Sequence, residues 1–211
     1  MAETRATGER REAVREALIE SRLTPNAISI TGLVLVVIGA ALIWAESLIL
    51  GGAAFAIGSI FDTLDGRYSR MSGKGTQFGA FLDSTLDRVG EGLALFAACY
   101  LFASQGQPTN AALCAFAILA SVMVSYTRAR AEALNADAAV GFGSRATRVV
   151  ILSAGLILAG ILGYDDPVNA LSISVWVLAF ISTITAIQRI LHVRTALLAP
   201  AAETDAPPDD L

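Results

Sequence analysis

Four aspartates lie within 26 residues of an otherwise strongly apolar chain: Asp62, Asp65, Asp83 and Asp87. Residues three or four positions apart share a face of a helix, so each pair presents two carboxylates side by side. Carboxylates grouped in this way repel one another unless a cation compensates them. Mg²⁺ suits this role because it takes a few carboxylates and completes its shell with phosphate oxygens, and Mn²⁺ is a second candidate. The spacing therefore predicts a divalent-metal site for a phosphate-containing substrate.

A structural interpretation of the same aspartates is that they pair with nearby arginines at a membrane interface, since Arg67, Arg70 and Arg88 lie in the same stretch. An ionised acid at the centre of a spanning helix costs roughly 2.5–3.5 kcal/mol. One such aspartate fits the structural interpretation, whereas four at helical spacing, with glycines among them, favour the metal site.

The elements that must position these acids are predicted to be membrane-spanning helices. The chain has 211 residues, of which 55% are hydrophobic and 16% are charged, whereas the charged share of a soluble domain is about 25%. Its apolar runs approach the roughly 20 residues that cross a bilayer. We predict an all-α integral membrane protein with six transmembrane helices near residues 26–47, 49–68, 80–103, 109–133, 145–163 and 167–195.

These helices form one predicted membrane domain, residues 25–198, between two polar ends. Residues 1–24 predict a cytoplasmic, juxtamembrane amphipathic helix, in which Leu18 and Ile19 can contact the membrane while arginines face lipid headgroups. Residues 199–211 are acidic and contain prolines, which predicts a disordered tail.

Positive charges mark one end of every predicted span. All 15 lysines and arginines precede the first span, lie near the end of the last, or surround the second-to-third and fourth-to-fifth connections, and the opposite connections have none. The positive-inside rule then predicts a multi-pass cell-membrane protein with both termini and the acidic motif on the cytoplasmic side. Trp44, Tyr100 and Tyr164 lie near the opposite ends of their spans, as an outer aromatic belt would.

The acidic stretch resembles the signature of the CDP-alcohol phosphotransferase family, DxxDGxxAR followed by eight residues and GxxxDxxxD. The chain reads Asp62-x-x-Asp65-Gly66-x-x-Ser69-Arg70, eight residues, and Gly79-x-x-x-Asp83-x-x-x-Asp87, with Ser69 in place of the alanine. The resemblance implies a six-span enzyme, usually a homodimer, that transfers a phospho-alcohol unit from a CDP-alcohol to a second alcohol and releases CMP.

The resemblance also implies roles for the four acids. Asp62, Asp65 and Asp83 would hold the metals against the diphosphate, where the metals neutralise charge in the transition state. Asp87 would be the catalytic general base that takes the proton of the attacking hydroxyl, while also lying near a second metal.

The donor implied by the resemblance is CDP-diacylglycerol, because a lipid substrate explains an active site at a membrane edge; an ether-lipid donor stays open. Gly66 would let the nucleotide approach the helix backbone, and Arg70 would pair with phosphate oxygens. Asn26, Ser29 and Thr76 match positions that contact the cytidine nucleotide in relatives. For Asn26 and Ser29, a helix cap is the alternative.

The acceptor is predicted from two further stretches. LDSTLDR resembles the inositol-phosphate branch of the family, and SYTRARAE with SRATRVVIL is similar to the SYxKARAE and RxERL stretches of phosphatidylinositol phosphate synthases. Residues that cradle the phosphate of inositol 1-phosphate in those proteins match Ser125, Arg128, Arg148 and Arg189, and Arg130 falls in the same stretch.

Two departures from that pattern leave another phosphorylated polyol open as the acceptor. Arg128 replaces a lysine and Thr147 replaces a glutamate, and arginine trades a point charge for a planar fork. Glycerol 3-phosphate is the main alternative acceptor. Cytoplasmic span ends also collect arginine whatever the function. Glu91, one turn beyond Asp87, either supports the site or pairs with a cytoplasmic cation.

Two other functions remain as alternatives. An intramembrane prenyltransferase also uses aspartate pairs and Mg²⁺, but with more spans and a different spacing. A transporter that binds a cation would be expected to show internal repeats and helices broken near the midplane. Release of CMP from CDP-diacylglycerol is predicted by neither.

Overall fold

The computed structural model describes residues 25–72 and 76–198, with side chains for residues 26–61 and 76–198. This part of the chain contains six α-helices: α1 Pro25–Trp44, α2 Leu48–Ser72, α3 Gln77–Ser104, α4 Pro108–Glu132, α5 Arg145–Leu162 and α6 Ala170–Leu198. The six predicted helices are confirmed, with ends displaced by four residues or fewer. The predicted amphipathic segment and acidic tail lie outside the described residues.

The helices close into a ring in the order α1, α2, α5, α6, α4, α3, because α3 packs back against α1. The interior contains apolar side chains from several helices, among them Phe55, Phe102, Leu152 and Leu178. Large apolar side chains such as Phe180 also cover much of the outside. A helical bundle that is apolar on both its inner and outer faces is suited to a bilayer, where each helix satisfies its own backbone hydrogen bonds.

Four of the helices, α1 from Asn26 onward, α4, α5 and α6, are long and apolar enough to cross a membrane. In α2 the corresponding apolar stretch is the shorter Leu48–Phe61. In α3 the first turns carry Asp83, Asp87 and Glu91, so the apolar part of that helix is shorter as well. The all-helical membrane architecture is confirmed, and the span count of six stays a prediction because the motif charges lie on α2 and α3.

Glycines bring α1 and α2 together backbone to backbone. A Cβ atom on Gly58 would lie 2.7 Å from the carbonyl oxygen of Gly32 and 2.8 Å from Val36 Cγ2. A Cβ atom on Gly39 would lie 3.0 Å from the carbonyl oxygen of Gly51. Small residues at helix interfaces permit this close approach in membranes. The contact fixes the axis of α2 just before the helix enters the acidic motif.

Aromatic residues tie the elements together at the end of the bundle away from the motif. The rings of Trp44 and Tyr100 stack with centroids 3.8 Å apart. The Tyr164 hydroxyl donates a hydrogen bond to Glu46 Oε2 at 3.3 Å. These contacts join α3, the α1–α2 turn and the α5–α6 connection. The three residues predicted to form an outer aromatic belt therefore lie at one end of the ring.

The glycine contact generates a test of the fold. Gly58→Ala is expected to lower the thermal unfolding midpoint in detergent, because overpacking against backbone atoms costs about 1–3 kcal/mol and outweighs the roughly 1 kcal/mol gained by replacing a helical glycine. Gly92→Ala is the matched control, since a Cβ atom on Gly92 meets no described atom within 4 Å. We expect this control to leave the midpoint unchanged or to raise it; a Gly58→Ala variant as stable as the control would contradict the packing.

Candidate active site

The start of α3 meets the start of α1. Thr76 is the N-cap of α3, and its Oγ1 accepts a hydrogen bond from the Gly79 amide at 2.9 Å. A Cβ atom placed on Gly79 would lie 3.0 Å from Asn26 Oδ1 and 3.1 Å from Thr76 Oγ1. Ser29, one turn along α1, is buried. Asn26 and Thr76, two of the predicted nucleotide contacts, therefore both lie next to Gly79.

The acidic motif is divided between α2 and α3. Asp83 and Asp87 lie four residues apart on α3, and the Oδ1 atom of each is buried. The α2 helix continues through the other half of the motif and contacts α3. The predicted site residues on α2 whose side chains lie outside the described part are Asp62, Asp65, Gly66 and Arg70.

The two described carboxylates fit a divalent cation by their chemistry. Asp83 and Asp87 supply hard, anionic oxygen donors one helical turn apart, which is the donor type that Mg²⁺ and Mn²⁺ prefer. No group of three histidine, cysteine, aspartate or glutamate side chains converges among the side chains that the structure describes, and two of the four predicted ligands fall outside that set. The metal assignment therefore stays a prediction.

Two ion pairs cross the ring from α3 to α5, helices that are not neighbours in it. Arg145 Nη2 lies 2.8 Å from Asp87 Oδ1. One turn further along α3, Glu91 binds Arg148 through both carboxylate oxygens, at 2.6 Å to Nε and 2.8 Å to Nη2. Cations at a helix N-terminus are disfavoured by the helix dipole, so the carboxylates of α3 compensate the two arginines in the first turn of α5.

The Glu91–Arg148 pair is the more deeply buried of the two. The side chains of Arg148 and Glu91 are 4% and 6% exposed, and Arg148 Nη1 also donates to the carbonyl oxygen of Gly143 at 2.7 Å. The question left open for Glu91 is thereby answered: its partner is Arg148, 57 residues along the chain.

The α4–α5 connection is fastened to α6 beside these pairs. The Gly143 amide donates to Thr185 Oγ1 at 2.9 Å, and Thr185 is fully buried. Arg189 Nε donates to the carbonyl oxygen of Val140 at 3.0 Å, and its Nη1 donates to that of Val124 at 2.5 Å. The predicted acceptor residue Arg189 is therefore held by backbone carbonyls of α4 and of the connection.

A cavity of about 240 Å³ opens among these groups. Its charged lining consists of five arginines and two carboxylates, a formal excess of three positive charges. The lining residues are Ser84, Asp87, Arg88, Glu91, Val124, Ser125, Arg128, Gly143, Ser144, Arg145, Arg148 and Arg189. The predicted general base thus shares a cavity with four of the five predicted acceptor residues. The fifth, Arg130, is exposed and lies outside the cavity lining.

The CDP-alcohol phosphatidyltransferase family model matches residues 22–196, which include this cavity and both halves of the acidic motif. The chain belongs to this family. As a member, it is a transferase of the class that the motif predicts, and the resemblance drawn from the motif is confirmed.

The curated relatives cover most of the chain. It is 37% identical over 183 residues to the phosphatidylinositol phosphate synthase of Mycobacteroides abscessus, with 85% of this chain and 81% of the relative covered. It is 32% identical over 187 residues to the archaetidylinositol phosphate synthase of Pyrococcus horikoshii, with 88% of this chain and 92% of the relative covered.

The fold is similar to that of a solved relative, the phosphatidylinositol phosphate synthase of Mycobacterium tuberculosis. Its structure with CDP-DAG bound matches with a TM-score of 0.78 at 30% identity and covers 91% of this chain and 98% of that one. Its structure in complex with manganese and citrate matches with a TM-score of 0.79 at 31% identity and covers 91% and 93%.

Four further polar or charged side chains of this transferase line the cavity without a predicted role in the reaction: Ser84, Arg88, Ser144 and Arg145. Of these, Arg145 lies in direct contact with the predicted base. In the sequence, the indication that Arg145 belongs to the site is its position in the SRATR stretch, three residues before Arg148. Spacing on α5 places the two arginines on one face, but it does not indicate which carboxylates of α3 they meet.

The buried pair generates a test with a matched control. Removing one partner of a buried ion pair costs about 3–5 kcal/mol because the other charge stays buried, so Glu91→Gln is expected to lower the thermal unfolding midpoint markedly. Glu132→Gln removes the partner of Arg128 in a pair that is more than half exposed, and such pairs contribute about 1 kcal/mol or less. Equal midpoints for the two variants, measured in the same detergent, would contradict a stabilising role for the Glu91–Arg148 pair.

Proposed function

We propose that this protein transfers the phosphatidyl group from CDP-diacylglycerol to inositol 1-phosphate, giving phosphatidylinositol phosphate and CMP. The observation that carries the proposal is the shared cavity, in which Asp87 lies with Ser125, Arg128, Arg148 and Arg189. Transfer to a phosphorylated alcohol requires a base that takes the hydroxyl proton and, beside it, a cationic pocket that binds the acceptor phosphate.

The charge of the cavity supports a phosphorylated acceptor. Two of its five arginines are paired with Asp87 and Glu91, and Arg128 is paired with Glu132, which is not among the lining residues. A dianionic phosphate would compensate the remaining positive charge through charge-assisted hydrogen bonds. An uncharged acceptor such as free inositol or serine gives no reason for so many arginines around one base.

The names of the relatives support inositol phosphate as the acceptor more directly than they support the identity of the lipid donor. Phosphatidylinositol phosphate synthases and archaetidylinositol phosphate synthases are named for different lipids and the same head group. The solved relative with CDP-DAG bound supports a diacylglycerol donor, while the archaetidyl relatives favour an ether lipid as the alternative. Glycerol 3-phosphate remains the second candidate acceptor.

The same proposal includes the placement in the membrane. All six helices span the bilayer, α2 and α3 with their charged ends at the cytoplasmic surface, as the distribution of lysine and arginine supports. Residues 25–198 form the enzymatic domain, with residues 1–24 on the cytoplasmic surface and residues 199–211 as a disordered acidic tail. The protein acts as a homodimer in the cell membrane, by the family resemblance.

The metal ligands in this proposal are Asp62, Asp65, Asp83 and Asp87. When bound there, Mg²⁺, or Mn²⁺ in its place, supplies neutralisation of the diphosphate charge. The cytidine part of the donor is bound at the starts of α3 and α1, by Thr76, Asn26 and Ser29, together with Gly66. Arg70 pairs with the phosphate that departs with CMP.

The chemistry requires one proton acceptor and one positioned phosphate. Arg128, Arg148 and Arg189, with Ser125, bind the acceptor phosphate and orient an inositol hydroxyl toward the donor. Asp87 accepts the hydroxyl proton as the oxygen attacks the β-phosphorus of CDP-diacylglycerol. The bond from that phosphorus to the bridging oxygen breaks, and CMP leaves. Fixing the reactants in one geometry lowers the entropic part of the barrier.

The reaction is tested by CMP release from purified protein with CDP-diacylglycerol and one acceptor at a time: inositol 1-phosphate, glycerol 3-phosphate, serine or free inositol. We expect inositol 1-phosphate to give the highest rate. A preference for glycerol 3-phosphate would support the alternative acceptor, and the absence of CMP release with any of the four would contradict the proposed reaction.

The role of Asp87 is tested by Asp87→Asn. Turnover is expected to fall by at least 10²-fold, the lower end of what a positioned general base contributes, while binding of the CDP nucleotide is largely retained. Turnover is followed by CMP release and binding by calorimetry. A near-normal rate would remove Asp87 from the base role.

The acceptor pocket is tested at Arg128, because Arg148 also holds Glu91 and its loss disturbs the fold. Arg128→Gln is expected to raise KM for inositol 1-phosphate at least about tenfold, the lower end of the about 1.5–3 kcal/mol that a hydrogen bond to a charged group contributes, with little change in KM for the lipid. Arg194→Gln, at an exposed position of α6 outside the cavity lining, is the matched control. Equal changes in both KM values would contradict the pocket assignment.

A further inference from the structure

Thr185 of α6 is fully buried and lies outside the cavity lining, yet it contacts the α4–α5 connection that borders the cavity. Its Oγ1 accepts a hydrogen bond from the Gly143 amide at 2.9 Å. Its methyl group lies against Gly141, where a Cβ atom would be 2.5 Å from Thr185 Cγ2. The two branches of this side chain therefore have separate tasks, since the methyl group fills space and the hydroxyl group binds a residue that lines the cavity.

Gly143 connects Thr185 to Arg148. The Gly143 amide donates to Thr185, and the Gly143 carbonyl oxygen accepts a hydrogen bond from Arg148 Nη1 at 2.7 Å. Glu91 binds the other two nitrogens of the same guanidinium, at 2.6 Å to Nε and 2.8 Å to Nη2. Two acceptors, one on α3 and one in the α4–α5 connection, thus set the orientation of the Arg148 guanidinium.

The contacts of Arg148 leave a defined part of its guanidinium for substrate. Arginine has five N–H donors, and three of those on Arg148 bind Glu91 and Gly143. One donor on Nη1 and one on Nη2 remain, and two donors of this kind can bind two oxygens of one phosphate. Each remaining donor shares its nitrogen with a hydrogen bond already made, so its direction depends on the acceptor that holds that nitrogen.

The Gly143 carbonyl is the acceptor that needs support from another element. Glu91 lies within α3, whereas Gly143 lies in residues 133–144, which form no helix or strand. Two side chains of α6, one helical turn apart, hold this segment: Thr185 binds Gly143, and Arg189 Nε donates to the carbonyl oxygen of Val140 at 3.0 Å. Loss of the Thr185 hydroxyl therefore loosens the support of Arg148 at Nη1 and leaves its support by Glu91 in place.

We propose that Thr185 is a positioning residue for the acceptor: through Gly143 it fixes the guanidinium of Arg148 that binds the acceptor phosphate. This inference rests on the proposed function, which assigns Arg148 to that phosphate. Donors that are already oriented lower the ordering cost of binding, so loss of the Thr185 hydroxyl weakens acceptor binding. Donor binding is unaffected, because the nucleotide contacts of the proposed function lie at the starts of α1 and α3 and at the end of α2.

The test separates the hydroxyl group of Thr185 from its methyl group. Thr185→Val keeps the shape and removes the hydroxyl, and we expect it to raise KM for inositol 1-phosphate about three- to tenfold, less than the outright loss of a hydrogen bond to a charged group. KM for CDP-diacylglycerol should stay unchanged. Thr185→Ser keeps the hydroxyl, so its KM for the acceptor should stay near the parent value, while the space left by the methyl group lowers the thermal unfolding midpoint.

Thr183→Val is the matched control, two residues earlier on α6, because the Thr183 hydroxyl donates to the Ala179 carbonyl of its own helix at 2.7 Å. Both KM values of this control should equal those of the parent protein. Thr185→Ala guards against a valine variant that fails to fold. It differs from Thr185→Ser by the hydroxyl alone, so it should show the higher KM for the acceptor.

A purely structural role of Thr185 predicts a different pattern. If the side chain does no more than stabilise the connection, Thr185→Val lowers the unfolding midpoint and the amount of active protein, while the folded protein keeps the parent KM for the acceptor. That result would overturn the inference, as would equal acceptor KM values for Thr185→Ser and Thr185→Ala. Equal rises in KM for both substrates would overturn it as well.

Binding without turnover separates this inference from the reaction on which it rests. Calorimetry of the full-length protein in detergent, without CDP-diacylglycerol, measures the affinity for inositol 1-phosphate. A parent protein that releases no CMP would overturn the proposed function, and the titrations would still decide the role of Thr185. Weaker binding in Thr185→Val, by about three- to tenfold, supports that role, and equal binding overturns it. A parent protein that binds no inositol 1-phosphate would overturn both.

Discussion

The site depends on the two ion pairs that join α3 to α5 across the interior of the helix ring. Asp87 and Glu91 on α3 meet Arg145 and Arg148 on α5, helices that do not otherwise pack as neighbours. Burying charges is costly unless each is paired and hydrogen-bonded, and the bidentate Glu91–Arg148 pair with the Gly143 carbonyl satisfies that condition. These pairs keep a polar cavity open in a bundle whose apolar core would otherwise favour closure.

The rest of the fold positions the two sides of that cavity. Close contacts at glycines hold α2 against α1, so the first half of the acidic motif lies on a packed helix. The Thr76 cap begins α3 beside Asn26, and this fixes the start of the helix that carries the second half. On the other side, Thr185 and Arg189 of α6 hold the α4–α5 connection through backbone hydrogen bonds. Asp87 and the arginines predicted to bind the acceptor are thus attached to different helices and still line one cavity.

The sequence was sufficient for the parts of this arrangement that depend on local pattern. Apolar runs and their breakers predict the six helices, and the aspartate spacing predicts the family. It was not sufficient for partners that are distant along the chain: the pairing of Glu91 with Arg148 and of Asp87 with Arg145 depends on which helices face each other across the ring. The sequence places Arg130 in the same short stretch as Arg128, but only the packing shows that Arg130 lies outside the cavity lining while Arg145 lies inside.

The central claim is that the acids of α2 and α3 converge beside the arginine cavity to hold divalent cations around a pyrophosphate. Anomalous X-ray scattering from crystals grown with Mn²⁺ and CDP-diacylglycerol tests it most directly. The account predicts Mn²⁺ peaks in contact with Asp83, Asp87 and the two aspartates of α2, with the diphosphate bridging them and the Glu91–Arg148 pair intact. Mn²⁺ peaks elsewhere, or carboxylates of α2 and α3 that point apart around an ordered nucleotide, would contradict it.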